Sequence, residues 1–420
     1  MLSHADAALA ARDSKLPGLT TLLDPAAMTD ALRAIPDLDI EQVRLDYLRY
    51  KPGTNCLAAY QAETKSAGVL PIYAKAHASD AEVKITKATA RARGRTHGAL
   101  ILPEGIVAYA FPDDAKLRVL ERLADPSQRR RLLARIFAAR DGMEAGRLET
   151  LAYKPERRYT ARFEAEPGAC VLKFYVDDGY EVARHACKVL ESREVLRLAE
   201  RRGGSKRHAT LALEWLPGDT LREALKGSDV DGVIRRVGRA LAELHVQQAP
   251  TLTERTESQA FTELRALAST LSFLCPALRK RPGQLANALI QRLAAEEQRR
   301  DVIHGDLYDK QIVLDRERVG LLDLDQVGRG DPRRDLALLV AHLERDVLLG
   351  GLAAGQVTEI EGTLLDSYQQ ARGESVPTLS LFVAEALLRL AHHPFRTHTE
   401  DWQAHTTALL ERAEQRLQEA

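Results

Sequence analysis

The segment from Val302 to Val327 holds residues whose types and spacing could do chemistry. It contains the tripeptide His304-Gly305-Asp306, an amide at Gln311 five residues after Asp306, and a carboxylate at Asp323, 17 residues after Asp306. Phosphoryl transfer needs a carboxylate that accepts the proton of the attacking hydroxyl, and oxygen ligands that hold Mg²⁺ against the ATP phosphates. The spacing therefore predicts a site for phosphoryl transfer.

Two apolar runs must position these groups. The runs IVLD and VGLLDLD, at residues 312–315 and 319–325, have the pattern of a β-hairpin. Around them, from Leu221 onward, the apolar residues recur at helical spacing, for example in 233–245 and in the C-terminal stretch from residue 380. The pattern predicts a mostly helical domain with a hairpin at its centre, which brings Asp306 and Asp323 together.

A small sheet is predicted before this helical domain. Three strand-like runs occupy 147–155, 159–166 and 170–176, and a long helix is expected from Gly179 to Glu200. A further strand follows at 209–217 and ends in a turn. Lys173 lies on the third of these strands.

The same order of elements occurs earlier in the chain. After about 40 helical residues, three strand-like runs begin at Val43, two more follow, and a helix is expected from Asp114. Tyr50-Lys51-Pro52 aligns with Tyr153-Lys154-Pro155, and Lys75 aligns with Lys173, at offsets near 100 residues. The nearly constant offset predicts a duplicated unit; the alternative is a chance similarity between two small sheets.

These motifs together resemble the aminoglycoside phosphotransferase and choline kinase branch of the protein-kinase-like superfamily. In that branch an H-G-D loop and an apolar-Asp-apolar-Asp motif are followed by G-D-P-x-x-D-L-A, which is matched here by 330–337. The resemblance extends from about Leu151 to the C-terminus. An additional N-terminal segment gives some similarity to capped sugar kinases such as maltokinase.

The resemblance implies an α+β, bilobal protein-kinase-like fold. Its small antiparallel-sheet N-lobe, with the ATP lysine and the hinge, would span 141–221. Its mostly helical C-lobe, with the catalytic loop and the acceptor site, would span 222–420. Residues 1–140 would form an N-terminal cap that duplicates the N-lobe if the repeat is real. The unit around Lys75 lacks an H-G-D loop, so we expect it to serve as a cap and not as a nucleotide site.

The resemblance also implies roles for the residues of the catalytic segment. Asp306 would be the catalytic base, with Gln311 and Asp323 as Mg²⁺ ligands and Asp325 as a weaker metal candidate. The family usually has Asn where this chain has Gln311, but the longer amide can still offer its oxygen to Mg²⁺. Two residues would support the catalytic loop: His304 and Asp335.

The ATP site is less well matched. Lys173 resembles the strand lysine that pairs with the ATP phosphates, although a lone strand lysine is more often solvated. Its carboxylate partner should come from the helix after it, where Glu181, Glu191 and Glu194 are the candidates. Glu191 is central and is preferred.

The phosphate loop and the hinge complete the predicted nucleotide site. A Gly-rich turn would let backbone N–H groups approach the phosphates, but the turn here has no glycine, and Arg157 and Arg158 could supply cations instead. Main-chain groups at Glu214, Trp215 and Leu216 would bind adenine. The alternatives are exposed turn arginines and an edge strand without a ligand.

The acceptor site is expected near the C-terminus. His393, Arg396 and Trp402 are the candidates, because Trp and Arg can stack on or hydrogen-bond a sugar ring. Adjacent histidines on an amphipathic helix are more often solvated or satisfied in a core. The acceptor is expected to be a sugar or an aminoglycoside-like compound.

Composition narrows the choice of partners. Lys+Arg and Asp+Glu are both 60, so no net charge would attract nucleic acid or an anionic membrane. The four cysteines form no CxxC pair, and no apolar run approaches the length of a membrane span. We expect a cytoplasmic protein that binds ATP, Mg²⁺ and a small molecule, and neither nucleic acid nor membrane.

Three functions are compatible with these features. The leading hypothesis is an ATP- and Mg²⁺-dependent phosphotransferase that acts on a small-molecule hydroxyl. The alternative is a pseudokinase or nucleotide-binding regulatory module that acts through a protein partner. A protein kinase is disfavoured, because no A-P-E segment or long activation loop lies between Asp323 and Asp335.

Overall fold

The computed structural model of the chain describes residues 2–35, 38–65, 68–78, 82–92, 96–138, 146–165, 168–176 and 178–420. The first part consists of three short helices, then a five-stranded antiparallel sheet with a helix between its third and fourth strands. The helices are α1 (His4–Arg12), α2 (Leu19–Leu23), α3 (Pro25–Arg33) and α4 (Glu82–Ala92). The strands, in the order β1-β2-β3-β5-β4, are β1 (Ile40–Lys51), β2 (Asn55–Thr64), β3 (Gly68–His77), β4 (Leu100–Leu102) and β5 (Ile106–Ala110).

A second unit repeats this arrangement. Its helices are α5 (Val119–Ala124), α6 (Pro126–Ile136) and α7 (Gly179–Val189). Its strands, in the order β10-β11-β8-β7-β6, are β6 (Arg147–Lys154), β7 (Arg158–Ala165), β8 (Gly168–Tyr175), β10 (Arg201–Ser205) and β11 (Thr210–Glu214). The last strand of each unit lies between the third and fourth, so the two sheets have the same topology.

The repeat extends to the helices before each sheet. Asp24 and Asp125 are the N-caps of α3 and α6, each accepts a backbone N–H, and a proline follows each of them. The α6 side of the second unit packs on its own sheet, where the rings of Phe137 and Phe163 stack at 5.5 Å. The boundary expected between residues 140 and 141 lies outside the described residues; we propose that the second unit begins at Val119.

The C-lobe is mostly helical with a small sheet at its centre. Its helices are α8 (Leu221–Ala224), α9 (Val230–His245), α10 (Glu257–Leu274), α11 (Arg281–Leu293), α12 (Arg333–Leu348), α13 (Ala354–Arg372), α14 (Leu379–Leu390), α15 (His393–Arg396) and α16 (Trp402–Glu419). One sheet has the order β12-β14-β15-β9, with β9 (Leu196–Leu198), β12 (Asp219–Thr220), β14 (Ile312–Asp315) and β15 (Arg318–Leu321). A two-stranded sheet joins β13 (Asp301–Ile303) to β16 (Gly328–Gly330). Within the described ranges, no helix is long and apolar enough to cross a membrane.

The cap shares its hydrophobic core with the C-lobe. Buried residues of α1–α3 and of the first sheet belong to the same cluster as those of α9 to α16, whereas the second sheet has a separate core with α5 and α6. At this junction the indole N–H of Trp402 donates to Asp6 of α1 at 3.1 Å. The cap is therefore anchored on the C-lobe and is held beside the second unit.

Two predicted helices differ from the structure. The helix expected over 179–200 ends at Val189, because Leu196 and Leu198 are buried at a spacing of two and pair, as β9, in parallel with β15. The helix expected from Asp114 begins at Val119, since the Asp114 carboxylate accepts the N–H groups of the two residues at 116 and 117 and holds a turn there.

Candidate active site

The catalytic loop is held from beneath by one buried carboxylate. Asp335, in the first turn of α12, accepts the backbone N–H of His304 at 2.6 Å and that of Gly305 at 2.8 Å. Gly305 has φ +81°, and a Cβ there would lie 2.5 Å from the carbonyl oxygen of Gln326, so only glycine fits. These contacts present Asp306 at the edge of the loop.

The His304 ring joins the loop to the hairpin. Its Nε2 lies 2.7 Å from the Leu322 carbonyl oxygen, and its Nδ1 lies 3.4 Å from the backbone nitrogen of Asp306. The first contact requires a proton on Nε2, which leaves Nδ1 as the acceptor for the Asp306 N–H. The imidazole is fully buried and therefore supports the loop without entering the cleft.

Asp306 and Asp323 line one cleft of about 260 Å³. The hairpin of β14 and β15 returns the chain so that Asp323, in a left-handed conformation with φ +64°, faces the loop. The Asp306 carboxylate is open to the cleft, yet desolvation by the surrounding protein raises its pKa. The negative charge of the nearby Asp323 raises it further. A base with a raised pKa beside a second carboxylate is a common arrangement at catalytic sites.

Two cations neutralise the carboxylates after the hairpin. The Lys173 ammonium lies 2.6 Å from Asp323 and 3.1 Å from Asp325. The Arg158 guanidinium binds both oxygens of Asp323, at 2.9 and 3.0 Å, and also contacts Asp325. Burial alone would raise the pKa of Asp323, but the charges of Lys173 and Arg158 outweigh burial and lower it. Tyr175 also donates to Asp325, at 2.8 Å.

Gln311 and Asp323 fit a magnesium site. The Gln311 amide is buried, its Nε2 lies 3.4 Å from Asp323, and its Oε1 has no hydrogen-bond partner among the described residues. An amide oxygen and a carboxylate are the hard oxygen ligands that Mg²⁺ takes, usually with water and substrate phosphates as the other ligands. In the part of the chain that the structure describes, no group of three His, Cys, Asp or Glu forms a metal cage.

The predicted partner of Lys173 is wrong. Glu191 lies beyond the end of α7, its side chain is 76% exposed, and its nearest cation is Arg193 at 4.0 Å. Glu181 and Glu194 are instead paired with arginines on the surface. The carboxylates that hold Lys173 come from the end of the hairpin, about 150 residues later in the chain.

The turn between β6 and β7 is clamped by the cap. Its Glu156 has φ +59°, a conformation that L residues rarely adopt, and it is buried. Its carboxylate lies 2.9 Å from Lys75, 3.1 Å from Arg49 and 3.8 Å from Lys116, all in residues that precede the second sheet. Its backbone N–H donates to Asp114 at 2.9 Å. The cap therefore fixes the turn that carries Arg157 and Arg158.

Sequence reasoning missed Glu156, although one signal was present. The repeat aligns Glu156 with Gly53 in the turn of the first unit. Gly53 has φ +65°, the same left-handed conformation that Glu156 adopts. Lys75 does not line the cleft of Asp306, because its ammonium forms an ion pair with Glu156.

The hinge residues join the two lobes, but none of them lines the cleft. Glu214 ends β11 and forms an ion pair with Arg197 at 2.8 Å. The Trp215 ring lies under the guanidinium of Arg162, 4.5 Å from its carbon, and Leu216 is buried. The N–H groups of Glu214 and Trp215 bond within the protein, so adenine recognition by this segment stays a prediction.

The three acceptor candidates are separated by the structure. Arg396 lines the cleft with Asp306, and His393 is half-buried beside it, with a pKa that burial and neighbouring cations lower to about 2. Trp402 does not line this cleft: it is buried against Phe395 and borders a different cavity, of about 660 Å³. Its apolar ring packs in the junction between α1 and α16, so the prediction for Trp402 is wrong.

The fold and the site define a protein-kinase-like phosphotransferase. The model of the phosphotransferase enzyme family matches residues 157–373, just over half of the chain. The chain therefore belongs to this family, and the predicted resemblance is confirmed. No curated protein matches the chain.

Solved structures share the fold at low sequence identity. A thermostable mutant of aminoglycoside phosphotransferase APH(4)-Ia, in a ternary complex with ADP and hygromycin B, is 13% identical with a TM-score of 0.51 and covers 69% of this chain and 97% of its own. The complex of the same enzyme with AMP-PNP and hygromycin B is 14% identical with a TM-score of 0.50, over 64% and 93%. A choline/ethanolamine kinase family protein from Mesorhizobium loti is 19% identical with a TM-score of 0.48, over 70% and 95%.

Proposed function

We propose that this protein transfers the γ-phosphoryl group of ATP to a hydroxyl group of a small molecule in a Mg²⁺-dependent reaction. The observation that carries the proposal is the cleft that Asp306 and Asp323 share, together with the buried Lys173, which contacts Asp323 at 2.6 Å. One enzyme with this fold, aminoglycoside phosphotransferase APH(4)-Ia, was solved with ADP and with AMP-PNP, each time together with hygromycin B, which supports a nucleotide and a small-molecule acceptor.

Asp306 would act as the base. Its carboxylate would accept the proton of the acceptor hydroxyl while the hydroxyl oxygen bonds to the γ-phosphorus, and the bond from that phosphorus to the bridging oxygen breaks to release ADP. The raised pKa of Asp306 makes it a stronger base. Mg²⁺ held by Gln311 and Asp323 would neutralise charge on the phosphates.

The nucleotide would be held from the second unit. Lys173 and Arg158 are already directed at the carboxylates beside the predicted phosphates, and Arg157 lines the same cleft. The segment from Glu214 to Leu216 would bind adenine. The acceptor would be a sugar or an aminoglycoside-like compound, a choice that the family and the fold support.

Asp306→Asn tests the proposal. The variant should lose at least a thousandfold in kcat while it keeps its melting temperature and its affinity for Mg·ATP, because only proton acceptance is removed. Asp315→Asn is a matched control, since Asp315 lies on the same hairpin and does not line the cleft. ADP release over a panel of sugars, amino alcohols and aminoglycosides is the measurement. Equal rates for Asp306→Asn and the unmodified chain would refute the assignment of the base.

One observation favours the regulatory alternative. The Arg158 guanidinium forms ion pairs with both Asp323 and Asp325, the carboxylates that would hold Mg²⁺. A nucleotide-binding module with a protein partner would tolerate such a block. Mg²⁺-dependent ATP turnover with any member of the acceptor panel rejects this alternative, whereas nucleotide binding without turnover supports it.

A further inference from the structure

Three cations around the proposed base have no carboxylate partner among the described residues. Lys154, Arg157 and Arg396 all line the cleft of Asp306. None of the three lies within 4.0 Å of a carboxylate in the described residues. Arg158, the fourth cation that lines the cleft, and the buried Lys173 neutralise Asp323 and Asp325. A surplus of positive charge therefore remains in the cleft, where Lys154 and Arg396 are cations that the proposed nucleotide site does not use.

One of these cations lies against a tyrosine of the cap. Arg396 donates to the hydroxyl of Tyr47 at 3.1 Å, and its guanidinium carbon lies 5.4 Å from the centre of the ring. Burial would raise the pKa of Tyr47, but the charges of Arg396, Arg157 and Arg49 outweigh burial and lower it. The contact with Arg396 and the lowered pKa of Tyr47 both indicate a positive potential at this tyrosine, and we name Tyr47, Lys154 and Arg396 the Tyr47 cluster.

Lys154 connects the Tyr47 cluster to the base. Lys154 is the last residue of β6 and lines the same cleft as Asp306. On the opposite wall, His392 orients Arg396 through a contact of 3.2 Å between Nε2 and the guanidinium. The Tyr47 hydroxyl accepts from Arg396, which leaves its own proton free for donation.

We propose, on the basis of the proposed function, that the acceptor carries an anionic phosphate or carboxylate group, which binds to the Tyr47 cluster while its hydroxyl lies at Asp306. Arginine and lysine are the usual ligands of both groups. A polycationic acceptor would instead need free carboxylates, and apart from Asp306 those of the cleft are already paired. The cleft volume of about 260 Å³ suits a small acceptor.

The binding test uses the full chain with Mg²⁺ and AMP-PNP, which fills the phosphate sites of the nucleotide. Glucose, glucose 6-phosphate, gluconate and hygromycin B are titrated calorimetrically. At least one of the two anions should bind ten or more times as tightly as glucose, and the two anions distinguish phosphate from carboxylate recognition. Equal or tighter binding of glucose or hygromycin B, or no binding of either anion, would overturn the proposal.

Variants of the Tyr47 cluster locate the site. Arg396→Gln and Lys154→Gln should weaken anion binding by 10- to 100-fold, and Tyr47→Phe by 3- to 10-fold, with the affinity for Mg·AMP-PNP within twofold of the unmodified chain. Arg235→Gln removes a half-exposed arginine from the surface of α9 and is the charge control. Unchanged anion binding in Arg396→Gln, or a loss confined to AMP-PNP affinity, would contradict the assignment.

Turnover separates this proposal from the proposed function. If the anion binds and the variants weaken its binding, but no acceptor is phosphorylated, then the anion site is supported and the phosphotransferase assignment fails. If glucose or hygromycin B is phosphorylated faster than either anion, then the phosphotransferase assignment is supported and the anion site fails.

Discussion

Two lysines of the cap share the carboxylate of Glu156, and they should differ sharply in what they contribute. Lys75 lies 2.9 and 3.2 Å from the two oxygens of Glu156, and its side chain is 19% exposed. Lys116 lies 3.8 Å away and is 54% exposed. Lys75→Met and Lys116→Met therefore remove the same charge, by the same substitution, from two positions around one buried acid.

The structure sets the size of the expected effects. Removing one partner of a buried ion pair costs about 3–5 kcal/mol, but Arg49 still lies 3.1 Å from Glu156 and reduces the loss. We expect Lys75→Met to cost about 1–3 kcal/mol by this argument. An exposed pair contributes about 0–1 kcal/mol, so Lys116→Met should be near neutral.

Calorimetric melting and ATP kinetics would check these values. Lys75→Met should lower the melting temperature by several degrees and raise the KM for ATP, because the turn that carries Arg157 and Arg158 loses part of its support. Equal melting temperatures for the two variants would refute the reasoning. Loss of nucleotide binding in Lys75→Met without a change in melting temperature would instead indicate that Lys75 contacts the nucleotide.

Three further predictions concern the cleft. The acid limb of the kcat/KM profile should have its midpoint above pH ~4, the ordinary value for Asp, because Asp306 must be ionised and its pKa is raised; a profile that is flat down to pH 4 would contradict this. Arg158→Gln should lower the Mg²⁺ concentration that gives half of the maximal rate, because the guanidinium no longer competes with Mg²⁺ for Asp323. An unchanged or higher concentration would argue against this competition. Asp335→Asn should lower the free energy of unfolding by about 2–4 kcal/mol, as a buried charged acceptor of three donors is lost; a denaturant titration measures this, and a loss under 0.5 kcal/mol would count against the anchor.

The catalytic segment could be read from the sequence because its geometry is local. Asp306 and Asp323 flank one hairpin, and a hairpin of two short strands returns the chain to its starting edge. The sheets were predictable because their apolar residues recur with a period of two. The repeat was predictable from the nearly constant offset between the matching motifs of the two units. Family membership followed from the same local motifs.

The partners of the site residues could not be read in this way. Lys173 meets Asp323 across 150 positions of the chain, and Lys75 meets Glu156 across 81. Glu191 is central on the helix expected over 179–200, but the pairing of β9 with β15 ends the helix before that residue. The chemistry of Trp402 suits an acceptor site, but the ring is buried against Phe395.

The sequence by itself determined the candidates for the chemistry: a predicted base, two predicted oxygen ligands and a strand lysine, each marked by type and spacing within short segments. Tertiary structure alone decided which charges remain free. Docking of the cap on the C-lobe brings Tyr47 to Arg396, 349 positions apart, and satisfies Glu156 with three cations. Ion pairing depends on distances in space, and the order of residues along a chain does not specify those distances until the lobes pack.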